Sequence, residues 1–198
     1  MTDRQREIGA IAAGLFMAHG YAGTSLAMVA RATEMQKPSL YHHFASKEAL
    51  FVFAMTVDLA DNVERLCDVQ HDSTMSHDEK IHAMMRIVYE SCILSPAGRM
   101  APVVAETARQ IPAVAQGFYD GFIEKMTDRV IAIVADGAAD GHFKPIDDDT
   151  LYHIVFGPPV SLAISQSMFQ GIPEAQARLD VDSACAGLSN ALLALLKA

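Results

Sequence analysis

At 198 residues, with 51% hydrophobic and 20% charged side chains, the chain has an ordinary globular composition and ample material for a core. Its apolar stretches, such as Val130 to Ala135 and Ile154 to Ile164, are broken by Asp136 or by Gly157, Pro158 and Pro159, well short of the ~18 residues of a membrane span. Met1 to Glu7 is polar and is not a signal peptide, so a cytoplasmic protein is expected. The net charge of −9 is unevenly spread: residues 1–50 hold five bases and four acids, the remaining 148 ten bases and twenty acids. Only the N-terminal end is suited to approach phosphates. Cys67, Cys92 and Cys185 are odd in number and far apart, which excludes a disulfide framework and predicts buried thiols.

Ile8, Ile11, Ala12, Leu15 and Phe16 recur on one helix face until Gly20, which suits a left-handed cap; a first helix is predicted over residues 4–19. Thr24 and Ser25 are candidate caps of a short second helix carrying Leu26, Val29 and Ala30 and ending near Thr33. Pro38 suits the first turn of a third helix reaching Phe44. Ser46 should cap a long fourth helix with Leu50, Phe53, Val57 and Ala60 inward, ended by the polar stretch from Gln70 to His77. Ser76 and Glu79 form a capping box ahead of Ile81, Met84, Met85, Val88, Tyr89 and Cys92. Further helical segments are expected at about 101–110, 113–139, 148–170 and 182–197, with a kink at Gly157 ahead of Pro158 and Pro159 and with Asp147 to Asp149 at a helix start. No segment alternates as a strand does, so the class is all-α with about nine helices.

Two short helices joined by a tight turn and braced by a third make a helix-turn-helix, whose second member enters the DNA major groove. Lys37 offers a charge, Ser39 and Tyr41 offer hydroxyls, and His42 offers an imidazole to phosphates or base edges, while Leu40 and Phe44 face inward. The candidate DNA-binding residues are Thr24, Ser25, Gln36, Lys37, Pro38, Ser39, Tyr41, His42 and Lys47.

The ordered series Ile8, Leu15, Phe16, Gly20-Tyr21, Thr24-Ser25-Leu26, Val29-Ala30, Lys37 to Phe44 and Ser46 to Leu50 resembles the DNA-binding domain of the TetR family of regulators. The resemblance implies residues 1–50 as the DNA-binding domain and residues 51–198 as a helical effector-binding and dimerisation domain. It further implies a homodimer built on the last two helices. One departure is Glu34, where the family usually has glycine; a residue with a side chain at positive φ costs roughly 1 kcal/mol or more, so either the turn differs or it is strained. Ala27 and Met28 replace residues that are often charged in relatives.

Flexible thioethers and aromatic rings suit either a core or the wall of an apolar cavity. The effector candidates are Met84, Met85, Val88, Tyr89, Cys92, Met100, Val104, Phe118, Phe122, Met126 and His153. Neither a metal nor a cofactor is expected, since Glu79-x-x-His82 occurs once and the neighbours His42 and His43 cannot easily share an ion. The expected function is a repressor released from a palindromic operator by a small lipophilic effector, with an activator or an effector-independent regulator as the alternative. A helical-bundle enzyme is remote, because no nucleophile elbow or phosphate loop is present.

Overall fold

The computed structural model describes residues 2–57, 59–95, 98, 101–169, 171–176 and 180–197, and among them every regular element is helical. The chain packs as two compact units, Met1–Ala60 with Ser95–Glu124, and Asp61–Leu94 with Lys125–Ala198.

The first unit begins with α1 (Asp3–Gly23), α2 (Leu26–Ala32), α3 (Lys37–His43) and α4 (Lys47–Thr56). Thr2 caps α1 by accepting from the Gln5 amide at 3.2 Å. The expected stop at Gly20 is a kink: its φ of 70° and ψ of 174° break the helical path, and one more turn follows to Gly23. Only glycine adopts such a conformation without steric penalty. The unit is completed by α7 (Ala101–Ala108) and α8 (Pro112–Phe118), which pack on α1 and α4 respectively. Ile8, Phe16, Val29, Leu40, Leu50, Phe51 and Met55 form its core, with Val104 and Val114 from α7 and α8. The Phe16 ring meets Phe51 edge-on at 4.7 Å.

Ser46 does cap α4, accepting from the Ala49 amide at 3.1 Å. The long helix expected after it is described as α4 to Thr56 and α5 (Leu59–His71), and its course through Asp58 lies outside the described residues.

In the second unit the capping box opens α6 (His77–Tyr89), with Ser76 Oγ accepting from the Glu79 amide at 3.3 Å and Glu79 accepting from the Ser76 amide at 2.8 Å. A π-helical turn, Glu90–Leu94, follows it; a second one, Tyr119–Ile123, links α8 in the first unit to α9 (Glu124–Ala139). Then come α10 (Asp148–Met168), the short α11 (Pro173–Gln176) and α12 (Val181–Lys197). Asp147 caps α10, accepting from the Thr150 amide at 2.9 Å. The kink expected at Gly157 does not end the helix: α10 runs through Pro158 and Pro159, so the two missing amide donors are tolerated inside it. At one end of this unit His77 pairs with Asp140 at 3.0 Å, His142 with Asp78 at 2.9 Å, and Lys197 with Asp78. Of the three cysteines, Cys92 and Cys185 are buried as expected, whereas Cys67 is only half-buried, one helical turn before His71.

On α10, Val160, Ile164 and Met168 lie four residues apart and are 42%, 44% and 69% exposed, and Leu195 on α12 is 48% exposed. Residues four apart share a helix face, so α10 presents an uncovered apolar stripe.

The turn between α2 and α3 places Glu34 at φ 55°. Its amide donates to Arg31 O at 3.3 Å and the next amide, Met35, donates to Ala30 O at 2.8 Å, the two bonds of a Schellman cap. The cap needs a left-handed residue at this position, and here that residue carries a side chain. Glu34→Gly should therefore stabilise the chain by about 1 kcal/mol, raising the melting temperature by about 2–4 °C. Thermal denaturation of the two proteins side by side checks this.

Candidate nucleic-acid interface

α3 has two faces because its apolar residues sit four apart. Leu40 and Phe44, 1% and 5% exposed, anchor it to the core, while Lys37, Pro38, Ser39, Tyr41 and His42 are exposed. Gln36 is the N-cap residue, is exposed, and its side chain makes no capping bond. The outer face thus gathers an ammonium, an amide, two hydroxyls and an imidazole on one short helix. That is the donor set for phosphate oxygens and base edges.

Two adjacent hydroxyls ahead of α2 divide the work. Ser25 is exposed and caps the helix, accepting from the Met28 amide at 3.2 Å. Thr24 is buried, and its hydroxyl donates to Leu15 O at 3.1 Å and Gly20 O at 2.9 Å, tying α2 to the kink in α1. The expected DNA contact through the Thr24 side chain is corrected on that ground: its hydroxyl is spent inside the fold.

Lys47 lies with its ammonium 4.2 Å from the centre of the Tyr21 ring. Loss of solvent lowers the Lys47 pKa, against the opposing charge of Glu48. The Tyr21 hydroxyl donates to Glu48 Oε1 at 2.8 Å, and burial, followed by the Glu48 hydrogen bond and charge, pushes the phenol pKa up. Glu48 is held below the usual carboxylate range by its own backbone amide, by the Ser46 hydroxyl and by Tyr21. This cluster fixes the head of α4 against the turn after Gly20.

Arg4, outside the expected set, donates to Thr33 O at 2.7 Å and to Glu7 Oε2 at 2.6 Å. Nothing local in the sequence signals a bond between residues 29 positions apart.

The effector candidates do not gather in one unit. Met84, Met85, Val88, Tyr89, Cys92 and Met126 are buried in the second unit, and His153 is exposed there, its ring beside Tyr152. Val104, Phe118 and Phe122 belong to the first unit, with the two phenyl rings 5.4 Å apart. Met100 lies outside the described residues. Burial raises the Cys92 thiol to about 12 and raises the Tyr89 phenol as well.

Residues 8–52 match the family model described as bacterial regulatory proteins, tetR family. That segment spans α2, α3 and their bracing helices. The chain carries a tetR-family DNA-binding domain. No curated protein matches the chain. Among solved structures, a candidate tetR-family transcriptional regulator from Mesorhizobium loti superposes with a TM-score of 0.77 at 20% identity, covering 100% of both chains. FadR from Bacillus subtilis, in complex with stearoyl-CoA, gives 0.73 at 16% identity over 98% of this chain and 97% of its own. AibR, in complex with isovaleryl coenzyme A and operator DNA, gives 0.68 at 23% identity over 96% and 97%. At these identities the likenesses show the fold. Residues 8–52 thus match the DNA-binding domain of tetR-family transcriptional regulators, and no helix among the described residues is long and apolar enough to cross a membrane.

Proposed function

We propose that the chain is a cytoplasmic, homodimeric repressor that holds a palindromic operator through α3 and is released from it by a lipophilic effector. The observation that carries the reading is the two-faced α3, anchored by Leu40 and Phe44 and exposing Lys37, Ser39, Tyr41 and His42. Residues 1–50 read DNA in this account, and residues 51–198 hold the effector and the partner. Lys37 neutralises a phosphate, Ser39 and Tyr41 fix the register on the backbone, and His42 reaches a base edge or a further phosphate. Gln36, Pro38 and Ser25 border this face, and Lys47 can serve it only by leaving the Tyr21 ring.

Pairing two such heads needs a two-fold axis. The uncovered stripe of Val160, Ile164 and Met168, with Leu195 on α12, supports dimerisation through the last two long helices. Two of the similar structures, which carry stearoyl-CoA and isovaleryl coenzyme A, support an acyl-CoA as the effector class. An acyl thioester would place its hydrocarbon part among residues of the second unit such as Met84, Met85 and Met126. It releases DNA only if it binds the non-docking state more tightly, and a coupling of ~1 to 3 kcal/mol is typical.

Lys37→Ala should weaken all duplexes alike and lower the slope of log affinity against log salt by about 1, as loss of one phosphate contact requires. Binding titrations across salt concentrations test this; an unchanged slope removes Lys37 from the interface. Stearoyl-CoA and isovaleryl-CoA titrated into the protein–DNA complex test the effector class. Retention of DNA at saturating concentrations of both defeats it.

A further inference from the structure

The reading head hangs from a turn whose conformation its own sequence disfavours. Glu34 sits at φ 55°, and such a residue persists only where its surroundings over-determine it. The Schellman bonds occupy Arg31 O and Ala30 O, and the Thr33 hydroxyl and amide occupy Val29 O. The carbonyl of Thr33 itself, immediately before the strained residue, receives Arg4 Nη2 at 2.7 Å. Arg4 Nη1 is meanwhile held by Glu7 at 2.6 Å, one turn further along α1. Two donors of one planar fork, one on a backbone carbonyl and one on the Glu7 carboxylate, set the plane of the guanidinium, which a lysine ammonium cannot reproduce. A cation at this place also meets the negative end of α2.

We propose that Arg4 is a positioning residue for DNA recognition: it clamps the strained α2–α3 turn to the start of α1 and so sets the angle at which α3 meets the groove, without itself holding a phosphate. The inference rests on the DNA-reading function proposed for α3. The alternative for an arginine at the edge of such a domain is a direct phosphate contact, and the two differ in salt dependence and in their coupling to Glu34. A phosphate ligand contributes to every duplex and to the salt slope. A clamp contributes to the selected duplex only, and it matters less once the strain it opposes is gone.

The test uses the full chain, a duplex selected by the wild type and a scrambled duplex, with folding verified by circular dichroism. Arg4→Gln should lower the preference for the selected over the scrambled duplex by about tenfold and leave the salt slope unchanged, and Arg4→Lys should recover only part of the loss. Introduced beside Glu34→Gly, the same Arg4→Gln should cost no more than about threefold, because glycine holds the turn unaided. A salt slope reduced by about 1 with the preference intact makes Arg4 a phosphate ligand and overturns the clamp. Equal losses with and without Glu34→Gly, or no loss at all, overturn it too. Amide exchange at Glu34 and Met35, measured without DNA, should accelerate in Arg4→Gln; unchanged protection contradicts the clamp. If the wild type selects no duplex, the reading of α3 falls, and the exchange rates alone then decide whether Arg4 holds the turn.

Discussion

Phe16→Ala should destabilise the protein by about 3–5 kcal/mol, the usual result of removing a fully buried ring. Phe16 is 0% exposed, meets Phe51 at 4.7 Å and lies 6.0 Å from Tyr21, so it joins α1, α4 and the turn after Gly20. Against a total stability of ~5–15 kcal/mol, the loss is large enough to lower the melting temperature by about 6–20 °C. Met17, the next residue, is 37% exposed, and Met17→Ala should stay within about 0.5 kcal/mol of the parent. Urea denaturation of the pair checks both. Similar midpoints for the two variants would show that the first unit is not built around Phe16.

The second large effect lies on the α10 stripe. Ile164 is 44% exposed on the described chain, and the proposed dimer covers it. Ile164→Arg leaves the monomer core untouched but puts two unpaired guanidinium groups into the dimer interface, where an uncompensated charge costs about 3–5 kcal/mol. Sedimentation should show monomers at concentrations where the wild type is dimeric, and operator affinity should drop by roughly 100-fold or more because each head then binds alone. Ile164→Arg that remains dimeric with full affinity would place the interface elsewhere.

Features governed by local chemistry were legible in the sequence. Ser76 and Glu79 cap α6 in the reciprocal way that their spacing implies, and Leu40 and Phe44, four apart, anchor α3. Glu34 at a position suited to glycine announced either strain or a different turn, and the structure has the positive φ. Features governed by distant contacts were not legible. Thr24 and Ser25 are chemically alike, and which of them caps and which is buried depends on where Leu15 and Gly20 place their carbonyls. Arg4 meets Thr33 only after α1 and α2 have packed. Gly157, Pro158 and Pro159 predict a kink, yet the helix α10 continues through them; whether a helix bears two lost amide donors depends on its packing, which the prolines themselves do not announce. Methionine and phenylalanine cannot by type alone separate core from cavity wall, which is why the effector candidates fall into two units while the α3 residues fall on one face.

The most direct test of the account is selection of binding sites from a random duplex library by the wild type and by Tyr41→Ala. The account predicts an enriched inverted repeat whose half-site centres lie about one helical turn, or a multiple of it, apart, with enrichment lost in Tyr41→Ala. Absence of any enriched site with the wild type, or the same site recovered undiminished by Tyr41→Ala, would contradict DNA reading through α3.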